Sequence, residues 1–317
     1  MLNVVNRKKI FFTIPAVILV LGIIFYFVHG GFNLDVDFTG GTNLQLDLGQ
    51  QFEEKDITDI VGTAIPGLTP SSIIKGGDNG TEVTIKLKEL SDEESTKVLN
   101  AIREKYDPSY KAGDETVVED EKATASDDTA ATESGFKVFS RDTVSATIGK
   151  ELGRSAVLSA VIAILLMLVY ISFRFEFWSG IASITALTHD VLMVLSIYAI
   201  FNLPINTTFI AAILTIVGYS INATIVIFDR VRENDRFAKK TPFGEIVDKS
   251  IMQSMTRSVN TSLTTLLSIL VLYIMGVDSI KQFALPIIIG IVVGTYSSVT
   301  IAGPMWHTLK GGNKATK

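Results

Sequence analysis

Gly218-Tyr219-Ser220-Ile221-Asn222-Ala223-Thr224-Ile225-Val226-Ile227-Phe228-Asp229-Arg230-Val231-Arg232-Glu233-Asn234 is the stretch on which the reading of this chain turns. Its first half is apolar with polar side chains set into it, and its second half is a cluster of charges. The uncharged run 206–228 holds that first half and is long enough to cross a bilayer, which takes roughly 20 residues. The Asp-Arg-x-Arg-Glu-Asn cluster marks where the helix leaves lipid. Polar groups inside a spanning helix are costly and face a partner helix or a water path. Ser220, Asn222 and Thr224 therefore either join helices or line a path, and the rest of the chain has to decide which.

The composition is that of an integral membrane protein, with 47% hydrophobic residues and a mean hydropathy of +0.38. The absence of cysteine excludes disulfides, thiolate chemistry and Cys-ligated metals. His29, His189 and His307 lie far apart in sequence, so no metal centre is expected, and no cofactor either. The net charge of -5 comes mostly from one acidic stretch and says little of a nucleic-acid or lipid surface. No nucleic-acid partner is expected.

Residues 1–30 hold Asn6-Arg7-Lys8-Lys9 and then the uncharged run 10–28. No small-x-small cleavage site follows, so the run reads as a retained spanning helix, with Pro15 tolerated in its first turns. Residues 31–145 are soluble in character. Asp35-Val36-Asp37-Phe38-Thr39-Gly40-Gly41-Thr42 leads into alternating Leu44, Leu46 and Leu48, a strand with one buried face. Ile57, Ile60, Val61 and Ala64 share one face of a helix over 52–65. Strands over 71–75 and 81–88 flank a Gly-Asp-Asn-Gly turn. Ser91 with Glu94 forms a capping box for a helix that turns Val98, Leu99 and Ile102 inward. A last strand over 136–144 completes a β-α-β-β-α-β order, the ferredoxin-like pattern. The segment 107–135 is rich in Asp, Glu, Ala, Thr and Ser and cannot bury enough surface to offset its ordering entropy, so it reads as a disordered insertion.

Five more apolar runs follow, at about 155–173, 178–201, 206–228, 252–277 and 283–306, making six with the first. The expected fold is a polytopic α-helical membrane protein of six transmembrane helices, with one α+β ferredoxin-like extracytoplasmic domain between helices 1 and 2. Basic residues set the orientation. The N-terminus, Arg174, a loop at about 229–251 within the helical region 146–309, and the tail 310–317 share the basic side. Both termini are thus expected in the cytoplasm.

Within the third span, Asp190 lies ~18 Å from the cytoplasmic end at ~1.5 Å per residue, next to His189. An ionisable pair at that depth points to function, or else to a neutral acid locking helices. Arg257 stands alone between Lys249 and Asp278, above a stripe of Thr261, Thr264, Thr265 and Ser268. It is a fixed charge that pairs with a titrating group or anchors the helix at the membrane edge. Thr215, Tyr219 and position 223 share a face of the fourth span, and counting along the helices puts position 223 at a depth similar to that of Arg257. A carboxylate at 223 would make a proton-switched ion pair with Arg257, but 223 is alanine. Gly290 and Gly294 form a small-xxx-small packing face, and Asp229-Arg230 reads as a topology anchor.

These residues together resemble the SecF family, membrane subunits that with SecD assist the bacterial Sec export channel. The resemblance rests on Asp35-x-Asp37-Phe38-Thr39-Gly40-Gly41-Thr42, Leu187-Thr188-His189-Asp190, the 218–234 stretch with its Gly218-Tyr219 start and Asn222, Arg257-Ser258-Val259-Asn260-Thr261-Ser262 and Gly294-Thr295-Tyr296-Ser297-Ser298. It implies the resistance-nodulation-division superfamily fold, a place in the bacterial plasma membrane, and SecD, the SecYEG channel, a translocating preprotein and protons as partners. It further implies that proton flow drives movement of the external domain. In the family the residue after Gly-Tyr-Ser-Ile-Asn is an aspartate, held to work with the arginine that matches Arg257. Ala223 departs from this, so the chain is expected to be deficient in coupling, most simply as an engineered Asp→Ala variant. The alternative is that Asp190, or an acid on SecD, carries the proton.

Two other classes stand beside this one. A proton-driven exporter of lipids or hydrophobic small molecules shares the superfamily, but would more often carry two sets of six spans and a larger external pocket. A pure scaffold fits Ala223 and is opposed by His189-Asp190. An enzyme is not expected, because no nucleophile, base and orienting group lie at suitable spacing.

Overall fold

The computed structural model describes residues 4–77, 80–107, 136–174, 176–238, 241–276 and 278–311. The chain forms two compact units, Met1–Asp35 with Gly153–Lys317, and Val36–Leu152. Helix α1 (Lys8–Val28) comes first. The smaller unit follows with α2 (Val36–Thr39), β1 (Gly41–Asp47), α3 (Glu54–Ala64), β2 (Ser72–Gly76), β3 (Glu82–Leu87), α4 (Asp92–Tyr106) and β4 (Lys137–Val144). Then come α5 (Ala146–Arg174), α6 (Phe177–Ile200), α7 (Thr207–Phe237), α8 (Phe243–Met275) and α9 (Asp278–Ser297). The last span continues through a π turn at Ser298–Ala302 into α10 (Gly303–Leu309). Six helical runs are long and apolar enough to cross a membrane.

In the smaller unit the sheet order is β2-β3-β1-β4 with every pair antiparallel, which is the ferredoxin-like arrangement. Leu44, Leu46 and Leu48 alternate onto the buried face, beside Val83, Ile85 and Leu87 of β3. Ile57 and Val61 of α3 and Val98, Leu99 and Ile102 of α4 close over them, each contributing roughly 1.5–3 kcal/mol on full burial. The capping box forms as read: Ser91 Oγ accepts from the Glu94 N–H at 3.3 Å, and the Glu94 carboxylate accepts from the Ser91 N–H at 3.0 Å. The lead-in to β1 is not extended. Val36–Thr39 makes one helical turn, and Gly40 and Gly41 reverse the chain at φ +80° and +159°. A Cβ on Gly41 would collide with the Leu87 carbonyl, so only glycine fits there. Of the acidic stretch, Asp107 alone is described: it ends α4 and takes Arg103 Nε at 3.0 Å. The rest of the expected insertion lies outside the described residues.

The larger unit packs α7 against α8 and α9, and α1 against α6. Small residues allow the closest approaches. Gly22 of α1 meets Ser196 of α6, and Gly290 of α9 meets Ile216 of α7, with no room for a Cβ at either glycine. Pro15 removes the N–H that would have reached the Phe11 carbonyl, and Tyr296 of α9 donates its hydroxyl to that carbonyl at 2.8 Å. Pro304 acts similarly in the last span. It has no N–H and its ring would press on the carbonyl one turn back, and the helix widens into the π turn just before it. Helix α5 is apolar all round: Val157, Leu158, Leu165 and Leu166 are exposed, and Ile171 with Met167 enters the core.

The expected loop at 229–251 is mostly helix. Helix α7 runs through the charge cluster to Phe237, and α8 begins at Phe243. The helical period persists beneath the charges, since Ile227, Phe228 and Val231 pack on Ile246, Val247 and Ile251. Polar side chains clamp the two helices together. Asn234 Nδ2 donates to Ser250 Oγ at 2.7 Å and to Gln253 Oε1 at 2.8 Å, and Arg230 Nε donates to the same Gln253 oxygen at 2.7 Å.

Candidate functional site

Asp190 lies ~20 Å along α6 from Phe177, at ~1.5 Å per residue, and is 1% exposed. Its Oδ1 sits 2.9 Å from His189 Nδ1. Its Oδ2 accepts the hydroxyl of Ser220 on α7, and the hydroxyl of Ser297 on α9 at 2.8 Å. One carboxyl thus ties three helices together. Gly294 makes the approach possible, because a Cβ there would stand 3.2 Å from the Ser220 Cβ and 3.3 Å from its Oγ. Ser220 and Ser297 are fully buried. Among the described residues His189 is the one ionisable group in contact with Asp190; α7 and α9 bring it only hydroxyls.

The chemistry of this quartet follows from donor counts. An ionised carboxylate only accepts, and it can take both serines and the His189 Nδ1–H together. In that tautomer His189 Nε2 is an acceptor, and it is buried without a partner among the described residues. A proton on Asp190 turns one oxygen into a donor, so at least one of the three contacts must reverse or break. Protonating this carboxyl would therefore alter the contacts that hold α6, α7 and α9 together. Asp190 and His189 were legible in the sequence. The meeting of Ser220 and Ser297 on one oxygen was not, although a serine one turn beyond Gly294 on a close-packed face was a usable signal.

The second group stands apart from the first. Arg257 is exposed on α8, and its guanidinium makes no hydrogen bond or ion pair among the described residues. Asn222 and Thr215 are exposed too, and Ala223 and Tyr219 are half-buried. The hydroxyls of Thr261, Thr264, Thr265 and Ser268 are spent on carbonyls of their own helix, at 2.9–3.0 Å. Gly290 and Gly294 both face α7, but a Cβ at Gly218 meets nothing within 4 Å, so packing within this chain does not require that glycine. Asp229 is exposed, and Arg230 is held by Gln253 and by Glu233 at 2.6 Å.

Fold and site together define a class: a six-span helical membrane protein with a ferredoxin-like unit inserted after the first span and a buried acid at the crossing of three helices. The family model described as "Protein export membrane protein SecD/SecF, C-terminal" matches residues 124–312. The protein translocase subunit SecF of Sebaldella termitidis is 33% identical over 317 residues, with 100% of this chain and 94% of that one covered. The SecF of Acidaminococcus fermentans is 35% identical, with 96% of each chain covered. A crystal structure of SecDF from Thermus thermophilus, titled a translocon-associated membrane protein, aligns with a TM-score of 0.77 at 34% identity. That alignment covers 96% of this chain and 38% of the longer SecDF chain. The chain belongs to the SecF family of protein translocase subunits.

Proposed function

We propose that this chain acts in protein export as the SecF-type partner of SecD beside the SecYEG channel, using the proton-motive force to move its ferredoxin-like unit while a preprotein crosses. In this reading it sits in the bacterial plasma membrane with both termini in the cytoplasm and the smaller unit outside, and it does no covalent chemistry. The observation that carries the proposal is the buried Asp190 carboxyl, whose protonation state decides how three spanning helices are joined. Ionisable side chains at that depth in spanning helices are rare and mark proton relays and ion paths.

Arg257 on α8 and Asn222 on α7 are polar and exposed within the spanning helices, which suits contact with the helices of a second membrane subunit. Position 223 is where the family places an acid, and alanine holds no proton. Coupling in this chain is therefore impaired, and Asp190 or an acid on SecD is left to carry what proton flow remains.

The test compares the chain as it stands with its Ala223→Asp form in SecF-depleted cells, following export of a secreted protein with and without the proton-motive force. The Asp form is expected to restore force-dependent export and the Ala form to lag. Equal export by both refutes the reading of Ala223 and moves the proton to Asp190. Asp190→Asn is expected to reduce export at an unchanged level of membrane-inserted subunit, and unaltered export would remove Asp190 from the path.

A further inference from the structure

Between the end of α1 and the smaller unit the chain does not run free. His29 Nδ1 lies 3.1 Å from the Ala199 carbonyl at the end of α6. Gly30 and Gly31, at φ +74° and +131°, then turn the chain off the helix end, their N–H groups donating to the Phe27 and Tyr26 carbonyls at 3.3 and 2.8 Å. The next residues are stitched to the α6–α7 connection. Asn33 Nδ2 donates to the Asn202 carbonyl at 3.0 Å, the Ile205 N–H donates to the Asn33 carbonyl at 2.8 Å, and the Asp35 N–H donates to the Ile205 carbonyl at 2.9 Å. Leu34 and Ile205 thereby form an isolated parallel β-bridge. Ile205 is 5% exposed and Asp35 8%, so the bond between these two is shielded from water, while the Asn33–Asn202 bond lies at the surface.

The other side of the connection is equally fixed. Asn206 caps α7 by accepting the Phe209 N–H at 2.9 Å, and its amide donates to Gln282 on α9. The clamped loop therefore joins the outer ends of the helices that Asp190 ties together in the core: α6 carries Asp190, α7 carries Ser220 and α9 carries Ser297. The chain then enters the smaller unit at Val36, directly after the last clamped residue.

We propose that the bridge between Asn33–Asp35 and the 202–206 loop is the mechanical link through which a change at Asp190 reaches the ferredoxin-like unit. It deepens the function proposed above and rests on it for its biological meaning. A helix shift at the carboxyl displaces the loop, and the loop carries residues 33–35 with it, because backbone hydrogen bonds on both flanks of Leu34 resist shear.

Two insertions test it. A short Gly-Ser insert between Asp35 and Val36 leaves the bridge intact and slackens its connection to the smaller unit. The same insert between Gly30 and Gly31 lies on the far side of the bridge. The chain has no cysteine, so spin labels at Lys55→Cys in α3 and Ile274→Cys at the end of α8 report one distance distribution. Asp190→Asn, a mimic of the protonated acid, is the perturbation. The uninserted chain and the 30/31 insert are expected to show a shifted distribution on Asp190→Asn, and the 35/36 insert to show none. A shift that survives the 35/36 insert, one lost equally in both inserts, or no shift in the uninserted chain overturns the proposal. Export measured in the same variants, each also carrying Ala223→Asp, separates the two readings. If the distances behave as expected while no form exports in a force-dependent way, the export function falls and the link stands.

Discussion

Gly290→Ala sets two effects of a helical glycine against each other. Alanine favours a helix over glycine by ~1 kcal/mol. At position 290, however, the added Cβ would overlap the Cδ1, Cγ1 and Cγ2 atoms of Ile216 on α7. Ile216 is 1% exposed, and its Cγ atoms lie too close to the backbone for a rotamer change to clear them. Helices α7 and α9 must part, at a cost of ~1–3 kcal/mol, and so complete an overlap belongs at the upper end. The net expectation is a destabilisation of ~1–2 kcal/mol. Gly218→Ala, on the same pair of helices but facing open space, should instead stabilise the isolated chain by up to ~1 kcal/mol. Ile216→Ala alone removes a buried side chain and costs ~2–5 kcal/mol. In the double variant the new methyl occupies part of the vacated volume, so the two costs should fall short of their sum by ~1–2 kcal/mol. Thermal unfolding of the detergent-solubilised chain and the four variants reads all of this. Additive effects, or a melting temperature raised by Gly290→Ala as by Gly218→Ala, would show that α9 does not seat on Ile216 as described.

Tyr296→Phe leaves the Phe11 carbonyl, orphaned by Pro15, without its hydroxyl donor, and should lower stability by roughly 0.5–1.5 kcal/mol. In a Pro15→Ala background that carbonyl regains a helical N–H, so the same substitution should cost measurably less in the same unfolding assay. In the smaller unit, the Ser91 N–H and hydroxyl hold the Glu94 carboxyl below its ordinary range. A lowered acid stabilises fully above its unfolded value and loses that contribution as pH falls through the folded one. Hydrogen exchange of helix α4 in the full chain, corrected for intrinsic rates, should show Ser91→Ala weakening protection near neutral pH, with the difference shrinking below about pH 4.

Where the sequence succeeded, the pattern was local. Leu44, Leu46 and Leu48 alternate with a period of two, Ser91 and Glu94 are one turn apart, and the apolar runs exceed the thickness of a bilayer, so strand, cap and spans could be read from neighbours alone. The charge cluster after Phe228 misled because solvation of Arg230, Arg232 and Glu233 says nothing against a helix whose other face, through Val231, stays buried. Asp190 and His189 were visible because ionisable residues in an apolar run are rare. Their serine partners were not, since Ser220 and Ser297 lie far apart in sequence and meet only after α7 and α9 pack at Gly290 and Gly294. Nor could the pattern show that Leu34 bridges Ile205, because one isolated bridge leaves no periodic trace.

The π turn at Ser298–Ala302 begins one residue beyond the serine that touches Asp190. A π turn is an α-helix that has accommodated a surplus residue, and such a surplus can be passed along the helix like a wrinkle in a carpet. Each step past a residue would rotate that residue by ~100° and advance it by ~1.5 Å while its neighbours beyond the wrinkle stay still. Ser297 is the next in line on one side. On the other, Pro304 stops the wrinkle from leaving, since no ordinary turn closes across it. The last span therefore holds a local dislocation, stopped on one side by Pro304 and with the buried acid at its other edge.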